Sequence, residues 1–343
     1  MTSSNIQNIL LTGGAGYIGS HTAVALSQTG HRIFIFDNFC NSDRGAVKRI
    51  EAIIGRPIVV IEGDLRDTAL LTQTLQTHQI NAVVHFAGLK AVGESNRIPV
   101  EYYANNVQGT ISLLQAMQKA DNHPKTFVFS SSATVYGDPK YLPIDEAHPL
   151  AATNPYGRTK HHIEEILGDL AKSDPAWRIA CLRYFNPVGA HDSGLIGENP
   201  NGIPNNLMPF VAQVAVGKLA QLSVYGDDYD TPDGTGVRDY IHVMDLAEGH
   251  VAALNYLTTH DGFHVFNLGT GRGYSVLEMV KAFEAASGKS VPYKIVPRRA
   301  GDIATSYASV AYATAELNWH AKRNLKDMCE SGWKFQHMTA KSS

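Results

Sequence analysis

Cysteine is scarce in this chain, and the three present, Cys40, Cys181 and Cys329, form no C-x-x-C pair. That scarcity argues against a disulfide framework or a zinc site, and reduced thiols point to a cytoplasmic setting. No apolar run is long enough to span a bilayer. The amino terminus passes from Met1 through Asn5 straight into Ile9-Leu10-Leu11, without the basic start and long apolar stretch of a signal peptide. Neither charge sign predominates, since 29 basic and 32 acidic side chains leave a formal net charge of -3. Nucleic acid and membrane surfaces are therefore not expected partners, and an anionic substrate would need local arginines. Internal repeats, low-complexity tracts and long charge runs are absent too, and the tail from Lys334 to Ser343 reads as frayed.

What is present is an ordinary globular composition, 44% hydrophobic and 18% charged over 343 residues, enough for one large or two smaller domains. Short β-branched or aromatic runs at Ile33–Phe36, Ile58–Ile61, Ala82–Phe86 and Thr126–Phe129 alternate with segments of helical length. The alternation predicts an α/β fold with a doubly wound parallel sheet. After Arg183-Tyr184-Phe185-Asn186 the rhythm breaks, and Gly, Pro, Asn and Asp crowd residues 189–204 and 226–236. A second, smaller α/β substrate lobe is expected from there. Val265-Phe266-Asn267-Leu268 reads as one more buried strand of the first domain, so the domains interleave. The expected division is 1–186, with a returning segment at about 237–270, against 187–236 and 271–343.

Thr12-Gly13-Gly14-Ala15-Gly16-Tyr17-Ile18-Gly19 follows the first strand and opens a helical segment. In that context glycines permit a tight turn and a close backbone approach, so a pyrophosphate can sit at the helix N-terminus, the dinucleotide-binding Rossmann arrangement. The next strand ends at Asp37, where a carboxylate can accept both ribose hydroxyls and would repel a 2'-phosphate. This favours NAD over NADP. Asp37 also reads as a strand-end turn residue beside Asn38, and the same alternative applies to Asp64 after the third strand.

Tyr156 and Lys160 lie four residues apart, on one face of a helix. An adjacent ammonium would favour the phenolate and make Tyr156 a usable base. Ser130-Ser131-Ser132, at the end of a predicted strand, offers a hydroxyl that can relay the proton. Taken singly, the pair also fits an exposed helix face and the serines a plain turn.

At this point the chain resembles the extended short-chain dehydrogenase/reductases and, among them, those that epimerise UDP-linked hexoses. The likeness runs from Ile9 to about Trp319. It passes through the glycine loop with Ser20-His21-Thr22, then His85-Phe86-Ala87-Gly88-Leu89-Lys90-Ala91-Val92-Gly93-Glu94-Ser95, Ser130-Ser131-Ser132-Ala133-Thr134-Val135-Tyr136-Gly137 and Arg183-Tyr184-Phe185-Asn186-Pro187-Val188-Gly189-Ala190. The resemblance implies that Ser132, Tyr156 and Lys160 are catalytic. It implies that Gly13, Gly16, Tyr17, Ile18, Gly19, Asp37, Asn38, Asn41, Asp64, Leu65, Phe86, Ala87, Lys90, Asn105 and Tyr184 line NAD. It further implies that Asn186, Asn206, Leu207, Tyr225, Arg238, Tyr240, Arg299, Asp302 and Ser306 meet a UDP-sugar, two arginines clamping the diphosphate. A homodimer is implied on the same ground.

The implied reaction inverts C4 of UDP-galactose or UDP-glucose through a transient 4-keto sugar, with NAD unchanged overall. Dehydratases of the same fold carry an Asp-Glu pair just after the strand-end serine or threonine, where this chain has Ala133 and Thr134. A UDP-glucuronate 4-epimerase and a non-catalytic NAD-sensing protein remain alternative readings. Four residues after Asp302, where narrow-range relatives carry a tyrosine beside the sugar's C2 substituent, stands Ser306. A small residue there leaves room for an N-acetyl group, as in UDP-GlcNAc and UDP-GalNAc. Two other readings stay open: Tyr307 fills the tyrosine's place by a one-residue slip, or Ser306 is a solvated loop residue.

Overall fold

The structure is a computed structural model describing residues 6–120, 125–200, 204, 206–299 and 301–342. Met1 to Asn5, read above for targeting signals, lies outside them.

The first half alternates as the sequence predicts. The strands are β1 (Asn8–Thr12), β2 (Arg32–Asp37), β3 (Val59–Glu62), β4 (Ala82–His85), β5 (Lys125–Ser132) and β6 (Trp177–Tyr184). Between them run α1 (Tyr17–Gln28), α2 (Arg44–Ile54), α3 (Thr68–Thr77), α4 (Val92–Arg97), α5 (Pro99–Tyr102), α6 (Gly109–Lys119) and α7 (Pro155–Ser173). A π-helical stretch, Tyr103–Gln108, leads into α6. The second half holds β7 (Asn186–Val188), α8 (Leu207–Ala215), β8 (Leu222–Tyr225), β9 (Val237–His242), α9 (Val243–Tyr256), β10 (Gly262–Leu268) and β11 (Gly273–Ser275). It ends with α10 (Val276–Ser287), β12 (Tyr293–Val296), β13 (Thr305–Ser306), α11 (Ala311–Leu317) and α12 (Leu325–Ser342).

Among the described residues the large sheet has seven parallel strands in the order β10-β6-β5-β4-β1-β2-β3. Strand side chains alternate between two buried faces, which is why the strands read as continuous apolar runs. Ile9, Leu11, Ile33, Ile35 and Val128 join one core with α1 and α9 residues. Leu10, Phe34, Phe36, Phe127 and Phe129 join the other with residues of α3, α6 and α7. The chain order reverses between β1 and β4, so the carboxyl ends of these strands open the crevice where ligands of such sheets bind.

The second lobe has its own core of Met208, Val211, Leu222, Val224, Tyr240, Tyr274, Phe283 and Met328. A small sheet joins β11, β9 and β13, with β7 also paired to β9. Residues 237–242, grouped above with the returning segment, thus lie in this small sheet, whereas β10 completes the large one. One expectation is overturned: the stretch from Lys334 is not frayed but is the last part of α12, with Phe335 buried against Gly197. Its apolar residues recur at helical spacing, and docking supplies the stability that a free terminus lacks. No helix among the described residues is long and apolar enough to cross a membrane.

Candidate active site

The glycine loop has a distinct reason at each position. Gly13 has φ +69°, and a Cβ there would lie 2.7 Å from the Ala87 backbone nitrogen. At Gly19 a Cβ would meet the Gly13 carbonyl oxygen at 2.5 Å. So one glycine permits the turn and the other lets α1 pack on it. α1 starts after Gly16 with no side-chain cap and no acidic residue in its first turn. By contrast Asp43, Asp67, Asn154 and Ser275 cap α2, α3, α7 and α10. The first amides of α1, from Tyr17, Ile18 and Gly19, therefore lack the side-chain acceptor those helices have, which suits an anionic group.

Asp37, buried at the end of β2, accepts from Phe39 N at 2.9 Å and Ser42 Oγ at 3.0 Å on one oxygen, and from Ala15 N at 3.1 Å on the other. It makes the turn and braces the glycine loop, and the second oxygen keeps acceptor capacity. Asn38 accepts from Cys40 N at 3.1 Å, and Asn41 is exposed nearby. Arg66 hydrogen-bonds Asp64 at 2.6 and 2.8 Å and so holds its carboxyl down at about 2. Leu65 packs against Gly109. At the end of β4, the Phe86 and Ala87 amides both donate to the Thr12 carbonyl, at 2.9 and 3.0 Å. Asn105 lies on the π-helical stretch and donates to Asn106 at 2.9 Å.

Ser132, Tyr156 and Lys160 come together where β5 meets α7. Lys160 is buried and donates to the Ser130 carbonyl at 2.6 Å, its Nζ 5.9 Å from the centre of the Tyr156 ring. Burial lowers the Lys160 pKa to about 8, opposed by Glu164 and then Cys181. The Tyr156 phenol departs from the sequence expectation. Desolvation raises its pKa, and the opposing interaction is a hydrogen bond with Ser132 rather than the ammonium. The ring spacing follows from helix geometry, but the environment of the hydroxyl is set by tertiary packing. Ser132 also accepts from the Thr134 amide and hydroxyl, at 3.2 and 3.0 Å. Tyr184 shares a hydrogen bond with Ser130, and burial raises its phenol pKa.

Across the cleft, strand register gathers four predicted residues. Asn186 pairs with Tyr240 and Ser306 with Arg238, so all four side chains fall on one face of the small sheet. Ser306 is buried in β13, not in a solvated loop, and Tyr307 alternates to the opposite face beside Gly273. This register sets Ser306, and not Tyr307, on the Arg238 face. Arg238 donates to the Val237 carbonyl at 2.8 Å and has no carboxylate within ion-pair range among the described residues. Burial lowers its pKa, partly offset by Tyr240, Asp302 and Tyr229, with Arg299 adding repulsion. Arg299 instead pairs with Asp302 at 2.9 Å and lies 4.5 Å over the Tyr225 ring. Asn206 stands at the N-cap of α8 without capping it, and Leu207 begins the helix.

Two residues that the sequence reading missed tie these groups together. Glu198 accepts from Lys90 at 3.3 Å and from Asn206 at 2.7 Å, joining the two sides of the cleft. Asn106 accepts from the Leu89 amide at 2.8 Å and donates to the Leu89 carbonyl at 3.0 Å and to Thr159 at 3.1 Å. A buried asparagine on a π-helical segment is the one signal that could have marked it. Glu198 sits in a stretch with no local pattern.

Comparison with known proteins shows the family. The family model described as GDP-mannose 4,6 dehydratase matches residues 10–332. The UDP-glucose 4-epimerase of Bacillus subtilis is 59% identical over 328 residues, covering 96% of each chain. The chain belongs to the UDP-glucose 4-epimerase family. A solved UDP-glucose 4-epimerase from Stenotrophomonas maltophila, with bound NAD and formylated UDP-arabinopyranose, is 52% identical at a TM-score of 0.96, covering 98% of this chain and all of that one. Another epimerase of the family, from Bifidobacterium longum in complex with NAD+ and UDP, is 52% identical at a TM-score of 0.94 over the same shares. The dehydratase description belongs to the family model, whereas the curated relatives are named as epimerases.

Proposed function

We propose that this chain inverts the C4 hydroxyl of UDP-galactose and UDP-glucose with NAD as its resident cofactor. The observation that carries the reading is the meeting of Ser132, Tyr156 and Lys160 where the carboxyl end of β5 meets α7, in a sheet whose first helix starts without a side-chain cap. The donor set suits NAD: free amides at α1 for a pyrophosphate and the remaining acceptor capacity of Asp37 for ribose hydroxyls. When bound, NAD supplies the hydride acceptor and returns the same hydride, so net redox change is zero.

The chain's own residues do the rest. Tyr156 takes the C4 hydroxyl proton and gives it back, Ser132 shares the reacting oxygen, and Lys160 provides positive charge beneath them. Arg238 and Arg299 hold the diphosphate, with Asn186, Asn206, Leu207, Tyr225, Tyr240 and Asp302 completing the nucleotide-sugar side. Strong nucleotide contacts with few sugar contacts let the keto sugar turn over without leaving. Small, buried Ser306 on the Arg238 face favours a wider range that includes UDP-GlcNAc and UDP-GalNAc.

In this reading residues 1–186 and the returning stretch of about 237–270 form the NAD-binding domain, and 187–236 with 271–343 the UDP-sugar lobe. β10 in the large sheet supports that division, with β9 at the junction. A homodimer is part of this reading, and the groove between α6 and α7, lined by Ile111, Leu114, Ile166 and Leu170, offers it an apolar surface. A cytoplasmic setting agrees with three unpaired cysteines.

The deciding assay incubates the purified protein with UDP-galactose and no added NAD, and follows UDP-glucose. Product is expected, with NAD released on denaturation. Absence of product even after NAD is supplied overturns the reading.

A further inference from the structure

Four residues beyond Lys160 on α7 stands Glu164, so Tyr156, Lys160 and Glu164 line up on the face that packs on β5. Each holds a different serine of the strand end. Tyr156 faces Ser132, which lowers its phenol pKa against the effect of burial, Lys160 donates to the Ser130 carbonyl, and Glu164 accepts from the Ser131 hydroxyl. Glu164 reaches Ser131 because strand alternation turns that side chain to the α7 side with Phe127 and Phe129, away from Ser130 and Ser132. The register partner of Ser131 on β6 is Arg183, on the same face. Its Nε donates to both Glu164 oxygens at 3.1 Å and its Nη2 to one of them at 2.6 Å. Arg183 continues to the Tyr136 hydroxyl at 3.1 Å, and Tyr136 donates to Asn267 at 2.7 Å. The side chains of Arg183 and Glu164 are 6% and 4% exposed. A buried ion pair roughly breaks even against an apolar pair of equal volume, so stability alone does not account for it.

We propose that Glu164, clamped by Arg183, is a positioning residue of the reaction centre, fixing Ser131 and with it the strand end that presents Ser132 to Tyr156, and serving as the countercharge of Lys160. The kinetic part rests on the C4-inversion reading; the positioning part does not. The groups facing Lys160 are Tyr156 and Glu164 on its own helix, Cys181 on β6 and His85 on β4. Burial keeps the His85 pKa at about 3 and raises the Cys181 thiol well above its usual range, so both are uncharged at neutral pH. Among the described residues Glu164 is therefore the negative group that opposes the loss of the Lys160 proton. Without that charge Lys160 deprotonates at lower pH.

The test compares Glu164→Gln and Ser131→Ala with the wild type as NAD-loaded protein. Glu164→Gln is expected to lower kcat roughly 10- to 100-fold with KM nearly constant, as a small misplacement of reacting groups does. The alkaline limb of its kcat profile should move down by about one pH unit. Ser131→Ala is expected to lower kcat without moving that limb. Both should speed amide exchange in the peptide spanning β5 and Ala133–Val135, read by mass spectrometry independently of turnover. A Glu164→Gln protein that unfolds more easily but keeps the wild-type pH profile overturns the proposal, because a merely structural pair behaves so. If that variant does not fold, Ser131→Ala decides: wild-type kcat and exchange overturn the proposal, and a fall in kcat with faster exchange supports it. A wild-type protein without C4 inversion would sink the functional reading while leaving the exchange result to judge the positioning.

Discussion

At the end of β5, Ser130, Ser131, Lys160 and Glu164 find partners within one strand, one helix and the neighbouring strand, all buried. Across the cleft Arg299 pairs with Asp302, and Glu198 holds Asn206 and reaches back to Lys90, with several of these residues exposed. The first arrangement is preorganised, so nothing need be broken before a proton moves. In the proposed reading the second exchanges partners when a nucleotide sugar arrives, since its charges already hold each other. Changes on the β5 side should therefore fall on kcat and changes on the cleft's far side on KM.

Substitutions can break this contrast, beginning with the largest effect. Tyr156→Phe should lower kcat by roughly 10²- to 10⁴-fold with UDP-galactose, leaving UDP binding by calorimetry nearly unchanged. Near-normal turnover would remove Tyr156 from its role. Arg238→Met should cost about 1.5–3 kcal/mol of binding, roughly 10- to 100-fold in KM, with kcat close to wild type. A fall confined to kcat would place Arg238 with the reaction centre and erase the contrast. Asp37→Ala should weaken retention of NAD about tenfold, measured as cofactor remaining after gel filtration, because the ribose loses an acceptor and the glycine loop its brace. Release of NADP from the wild type would contradict the assignment. Ser306→Tyr sharpens the comparison with the smallest effect on UDP-galactose, within about threefold, while abolishing turnover of UDP-N-acetylgalactosamine by steric exclusion. Wild-type protein inactive on the acetylated sugar would end the open-pocket idea.

Local spacing made part of this legible. Glycine identity, the strand before it and the helix after it are neighbours in the chain, so the loop at Gly13, Gly16 and Gly19 could be placed from the sequence alone. The Tyr156 and Lys160 pair was readable for the same reason. What spacing cannot convey is desolvation, and so the balance that raises the Tyr156 phenol was misjudged. Glu164 shared the helix face of that pair, but its partners come from two other strands, and only the register of β5 against β6 unites them. Ser306 was found by counting from Asp302, whereas its face came from β13 pairing with β9. The end of α12 was misread because the surface that stabilises it, around Gly197, is assembled from a distant loop.

The missing cap of α1 bears on assembly as well as on recognition. A helix start without a side-chain cap forgoes about 0.5–2 kcal/mol. An anion seated there returns that stability only while it stays, and any ligand that binds the native state alone deepens it by mass action. The cofactor is in this sense the last structural element of the chain to be put in place. In the proposed reading its retention from one turnover to the next has a folding origin beside the chemical one.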